Sequence, residues 1–233
     1  MNKQFFDFEG FVDYLFNEYL LWGIVVTIGL TAAALVGGLI LGVLLAFMRL
    51  SHFRPVSVVA QAYIWLFRGT PLLVQLLFIY TGLPLALGIR LSVLEAALLG
   101  LILNEAAYLA EIIRSGILSV PAGQKNAGSA LGLTPSQVMR YVVMPQAARI
   151  IIPPLGNSVN GLLKTTSITS VISMEEILRR VQILIQEKFL VLELFAVAAI
   201  YYLILTTLWD LVQRRLEARF GRAYSKVQLQ ESY

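Results

Sequence analysis

The 233-residue sequence contains no cysteine, which excludes disulfides and thiolate metal sites. Its one histidine, His52, leaves too few soft ligands for a zinc site, and no metal centre is expected. Charge is scarce, at 14% of residues against about 25% in an average soluble domain. No Gly-x-x-x-x-Gly-Lys-Ser/Thr phosphate loop occurs anywhere, so a need for ATP has to be met by another polypeptide. The first residues hold one lysine, Lys3, among several acids, so a basic secretory signal is not expected there. No internal repeat or low-complexity segment is visible. What the chain does have is apolar sequence: 58% of residues are hydrophobic and the mean hydropathy is +0.76. Runs of roughly 20 apolar residues, enough to cross a bilayer, recur. The expectation is an all-α integral membrane protein of one compact domain.

Phe5, Phe8, Val12, Leu15 and Tyr19 recur three or four apart, with Asp7, Asp13, Asn17 and Glu18 largely between them. This predicts an amphipathic helix over residues 1–19 lying in the membrane interface. A first span follows from about Leu20 to Met48, without charge, and its Gly29, Gly37, Gly38 and Gly42 would let a neighbouring helix approach closely. A second span, about Ser57 to Tyr80, is interrupted at Arg68-Gly69-Thr70-Pro71, where Pro71 removes a backbone donor and should kink or break the helix. Gly82, Pro84 and Gly88 mark an outer turn. A third span, about Leu91 to Ile113, carries Glu95, Asn104, Glu105 and Glu111. A fourth, about Gln146 to Ile172, contains Pro153-Pro154 and Lys164; residues 173–189 are amphipathic; a fifth runs from about Leu190 to Leu211. The domain reading is a single transmembrane body over 20–212 and a basic tail over 213–233.

Five spans put the two ends on opposite sides. With the tail inside, the inner face receives Arg49, Arg54, Arg114, Lys125, Arg140, Arg149, Arg214, Arg215, Arg219, Arg222 and Lys226. The outer face receives only Lys3, Arg90, Arg179, Arg180 and Lys188, while Arg68 and Lys164 stay at membrane depth. The bias predicts an outside N-terminus and a cytoplasmic C-terminus.

Between the third and fourth spans, within about 119–145, lies a polar island, Gly123 to Pro145. Pro121 suits the first turn of a helix and Gly132 its end. Thr134 can cap a second helix, with Pro135 at its first position and Gln137 three residues after the cap; Pro145 should end it. The prediction is two short helices hinged at Gly132, the first flattened on one side by Ala127, Gly128 and Ala130. A solvated loop, a DNA-binding helix-turn-helix and a docking knob for a cytoplasmic protein all fit two short helices. Only Lys125 and Arg140 could meet phosphates, and membrane spans flank the pair, so nucleic acid is not an expected partner.

The island resembles the cytoplasmic motif of ABC importer permeases, Glu-Ala-Ala, three residues, Gly, nine residues, Ile-x-Leu-Pro. The matching positions are Asn126-Ala127-Gly128, Gly132 and Val142-Val143-Met144-Pro145, with the spacing kept. Asn126 replaces the acid, which bears on a salt bridge to the ATPase and not on the knob. Phe67-Arg68-Gly69-Thr70-Pro71-Leu72-Leu73-Val74-Gln75, Ala106-Ala107-Tyr108-Leu109-Ala110-Glu111, Pro145-Gln146-Ala147-Ala148-Arg149 and Leu163-Lys164-Thr165-Thr166-Ser167 resemble the polar amino acid branch (histidine, glutamine, arginine). The resemblance covers roughly residues 20–215. It implies five core spans in a bacterial cytoplasmic membrane, a second permease subunit, identical or related, two ATP-binding subunits underneath and an extracytoplasmic solute-binding protein. Gly123, Gln124, Asn126, Ala127, Gly128, Gly132 and Pro145 would then dock the ATPase, which would bind ATP and Mg; this chain would bind no cofactor of its own. ATP closure of the ATPase dimer would rock the spans between inward-open and outward-open states.

Arg68, Asn104, Glu105, Glu111, Lys164, Thr165 and Thr166 are the candidates for a substrate path, because polar groups at bilayer depth are costly. Each has a plainer reading. Glu111 and Arg114, three apart, form an ion pair. Arg68 either satisfies carbonyls freed at the helix break or binds a substrate carboxylate. Glu105, where the family usually has a small residue, either meets a cationic substrate or pairs with Arg68 or Lys164. Thr165, Thr166 and Ser167 either line the path or bond back to carbonyls. Glu95 and Glu193 are expected near the outer interface. An ion-driven secondary transporter is the main rival, although such proteins show internal repeats and more spans; a membrane scaffold subunit is the other.

Overall fold

The structure, a computed structural model of the chain, describes residues 6–221, the last two by backbone alone. Lys3, Phe5, Arg222 and Lys226 lie outside the described residues. Within them every regular element is a helix. Three helices are long and apolar enough to cross a membrane: α2 (Glu18–Leu50), α6 (Val93–Leu118) and α11 (Val191–Gly221). A fourth candidate is a broken pair. Helix α3 (Arg54–Gly69) meets α4 (Leu72–Leu77) at a bend of 104°, and the path continues through a π-helical stretch, Phe78–Gly82, into α5 (Leu83–Leu87). Pro71 stands at the bend with φ −64°, ahead of the first turn of α4, as its missing donor requires. Gly88 closes α5 at φ +71°.

The N-terminal helix is shorter than expected. Helix α1 (Phe8–Leu15) is capped by Asp7, and the chain breaks at Phe16-Asn17 because the Asn17 side chain accepts from Leu20 N and starts α2 there. The first span therefore begins at Glu18. Helix α1 is fastened to the bundle by two bonds. The Tyr201 hydroxyl donates to Leu15 O at 2.9 Å, and Asp7 N donates to Glu193 Oε1 at 2.6 Å. Glu193, expected near the outer interface, is buried under that helix. Glu95 lies in the first turn of α6, where it makes a reciprocal capping box with Ser92.

The centre of the bundle is α2 against α6. A Cβ at Gly38 would lie 3.1 Å from Glu105 Cβ, and one at Gly42 3.1 Å from Ala106 O. These two small residues let the backbones come close, which substitutes for the hydrophobic drive that lipid does not supply. Gly29 faces open space instead.

After α6 come α7 (Ala122–Ala130) and α8 (Pro135–Gln137), then a π-helical stretch Val138–Val143 that runs straight into α9 (Met144–Thr165). A tight helical turn, Thr166–Ile172, leads to α10 (Ile177–Lys188), whose Arg180 donates to Tyr19 O at 3.0 Å. Helix α11 runs on past Leu211 to Gly221, so the described part of the basic segment is helical.

Candidate functional site

Two places gather the residues singled out in the sequence. The first is the bend between α3 and α4. Breaking a helix frees carbonyls that must find donors away from water. Here Gln75 supplies them: its Nε2 donates to Phe67 O at 2.9 Å, Thr70 O at 3.1 Å and Thr70 Oγ1 at 2.8 Å. Asn104 on α6 adds Nδ2 to Phe67 O at 3.2 Å and to Gln75 Oε1 at 3.1 Å. Asn104 thus ties the bend to the central helix. Arg68 does not serve these carbonyls. Its guanidinium turns outward over the Tyr108 ring, 5.3 Å from the centroid.

Behind the bend, Thr70–Leu72, α6 and α9 line an open recess of about 350 Å3. Thr70, Asn104, Glu105, Tyr108, Ser158 and Thr165 supply its polar lining, with Leu72, Leu162 and Ile168 as apolar walls. Glu105 is 7% exposed. Its expected pairing with Arg68 or Lys164 is absent: Arg68 is committed to Tyr108, and Lys164 is exposed on α9 with no ion pair among the described residues. The partner of Glu105 is instead the Ser158 hydroxyl, which donates to Oε1 across the α6–α9 gap.

Glu111 and Arg114 form the expected ion pair at 2.8 Å. Thr165 lines the recess, whereas the buried Thr166 bonds back to Leu163 O at 2.8 Å and Ser167 back to Lys164 O at 2.6 Å. The seven path candidates therefore separate. Asn104, Glu105 and Thr165 converge on one cavity, Arg68 stands at its rim on Tyr108, and Glu111, Lys164 and Thr166 are elsewhere. Gln75 and Ser158 belong to the site and escaped the sequence reading. A lone glutamine in the apolar stretch Leu72–Leu77 is a visible signal; Ser158 carries none, lying among other polar residues of α9.

The second place is the helical pair. Gly132 has φ +82°, a left-handed conformation suited to glycine. Gly132 N bonds Ser129 O at 3.0 Å and Leu133 N bonds Gly128 O at 3.2 Å, the paired bonds of a Schellman end. Thr134 and Gln137 then cap each other, as their spacing predicts. Gly123, Gln124, Asn126 and Ala127 are exposed on α7. Gly128 is buried, and a Cβ there would lie 3.2 Å from Val138 and 3.3 Å from Val142. It packs the pair together and does not flatten an outer face. Pro145 also departs from expectation. It does not end the second helix but sits exposed in the first turn of α9. The π-helical widening over Val138–Val143 lets the chain pass a residue without a donor and stay helical. Val138 and Val143 anchor the pair in a cluster with Ile113, Ile117 and Ala147, at the ends of α6 and α9.

A helical body with spans apolar enough to cross a membrane, a polar recess beside the middle of one of them, and a hinged helical pair without a nucleotide motif fit a membrane transport subunit. The family described as "binding-protein-dependent transport system inner membrane component" matches residues 38–222, and the chain belongs to it. Among its relatives are the arginine transport system permease protein ArgU of Corynebacterium glutamicum, 37% identical over 97% of this chain and 76% of that protein, and the glutamine transport system permease protein GlnP of Escherichia coli K12, 39% identical over 86% and 92%. A chain in the crystal structure of an amino acid ABC transporter with histidines superposes with a TM-score of 0.86 at 37% identity, covering 91% of this chain and 98% of that one. This chain is accordingly an ABC-type permease subunit of the membrane, without catalytic chemistry of its own.

Proposed function

We propose that the chain is the membrane-spanning half of an ATP-driven importer that moves polar amino acids inward by alternating access. The observation that carries this reading is the helical pair 122–143, built as one lever with α9, in a chain whose relatives are named for amino acid transport. Gly123, Gln124, Asn126 and Ala127 meet a cytoplasmic ATPase, while Gly128, Gly132 and Pro145 shape the element that presents them. Two ATPase subunits bind ATP and Mg; a second permease subunit, identical or related, closes the recess from the other side; an extracytoplasmic binding protein delivers substrate.

Five spans are reached by counting α3 with α4–α5 as one and adding α9. At 1.5 Å per residue, the 22 residues of α9 cover roughly 33 Å, about a bilayer core. Its low hydropathy comes in part from polar residues that bond to α11, as in the Asn160–Asp210 and Gln213–Asn157 pairs. The cation bias then sets the pair inside and the N-terminus outside a bacterial cytoplasmic membrane. Arg68 and the recess residues Asn104, Glu105 and Thr165 face the substrate path; Glu111, Lys164 and Thr166 support it from neighbouring positions.

Reconstitution of the chain with its ATPase and binding protein in liposomes tests the reading. ATP inside supports amino acid uptake; uptake on a proton or sodium gradient without ATP would contradict it and favour a secondary transporter.

A further inference from the structure

Glu105 is the thirteenth of the 26 residues of α6, the middle of a span, and is nine-tenths buried. A carboxylate at that depth calls for a cation or a full set of donors. It has neither. Among the described residues Glu105 forms no ion pair, Oε1 takes one bond from Ser158, and Oε2 takes none. Gly38 of α2 presses against its Cβ and Cγ, so the side chain is backed on one side and its carboxyl group opens on the recess. The cavity, at about 350 Å3, is in the range of small-ligand sites, ~300–1,000 Å3. Tyr108 on its wall already faces one guanidinium, that of Arg68.

We infer that Glu105, with Ser158 as its resting partner, is the group in this recess that selects amino acids carrying a positively charged side chain. The inference rests on the importer reading and adds the substrate class. A Lys-type ammonium or Arg-type guanidinium brings the donors Oε2 lacks and stabilises the ionised carboxylate at a depth where burial alone disfavours it. Ser158 makes the recognition conditional on state. It rides on α9, which is continuous through Val138–Val143 with the helical pair, whereas Glu105 rides on α6. Movement of α9 against α6 lengthens the Ser158–Glu105 bond and frees Oε1 for substrate. Return of α9 restores the hydroxyl and displaces the cation. The site thus binds its ligand with different strength in two arrangements, which a driven transporter requires.

The binding protein also selects substrate, so the test omits it. Equilibrium binding of radiolabelled arginine and of radiolabelled glutamine is measured on the purified permease–ATPase complex, for the wild type, Glu105→Gln and Ser158→Ala. Size-exclusion chromatography monitors assembly separately. The wild type should bind arginine at least about tenfold more tightly than glutamine. Glu105→Gln should abolish that preference, and Ser158→Ala should retain it while binding arginine more tightly without nucleotide. A wild type with no preference for arginine overturns the inference, as does equal loss of both ligands in Glu105→Gln. Failure of the wild-type chain to assemble with any ATPase would instead break the importer reading beneath it.

Discussion

A glutamine holds the broken span together. The 104° bend leaves the carbonyls of Phe67 and Thr70 without helical partners, and one Gln75 amide answers both. Leaving such a carbonyl unpaired costs about 1–3 kcal/mol. Gln75→Leu keeps much of the side-chain volume and removes the donor. Thermal unfolding of the purified complex should move to lower temperature by an amount equivalent to that loss, and uptake should fall with it; an unchanged melting temperature would refute the role. Pro71 made the break legible in the sequence. The donor was not legible, because Gln75 and Phe67 are eight residues apart and meet only at this bend angle. Arg68, beside the break and rich in donors, was the more obvious candidate, yet the direction of the bend aims it at Tyr108. The same holds for Glu105. Its isolation from cations depends on which faces α6 and α9 turn to each other, and residue spacing along one helix does not encode that.

At the scale of the element, the helical pair was readable where local rules act alone. Gly132, Thr134 and Gln137 do what capping chemistry requires of them, and the Schellman end and the capping box follow from residues at most five apart. It was misread where two elements meet. Pro145 ends a helix only if the helix cannot widen, and Val138–Val143 widens. Gly128 is an inner packing residue because the second helix folds back on it, a fact of tertiary contact. The second helix of the pair therefore runs without a break into α9. Gly132→Val forces a β-branched residue into a left-handed conformation that costs about 1–2 kcal/mol. The hinge angle should shift, so that ATP hydrolysis continues while substrate uptake per ATP falls severalfold. Coupled assays on proteoliposomes give both rates; an unchanged ratio would show that the hinge geometry does not matter.

For the whole molecule, length and hydropathy mark three helices and one broken pair as apolar enough to cross a membrane, and α9, rich in polar residues, does not pass that test. Counting α9 as a fifth crossing belongs to the proposed topology, in which the inner cations outnumber the outer ones. The fold was therefore legible as a class, and its closeness came from the small residues of α2 against α6. The central claim is that the exposed face of α7 touches an ATPase in the cytoplasm. Because the sequence has no cysteine, a single Gln124→Cys substitution places a unique thiol on that face. Site-directed crosslinking to single cysteines on the upper surface of the ATPase, in the assembled complex with and without ATP, is the direct measurement. The account predicts a crosslink at this position whose yield changes with nucleotide. Absence of any crosslink from α7 in an intact complex, or labelling of the thiol by a membrane-impermeant reagent from outside intact cells, would contradict it.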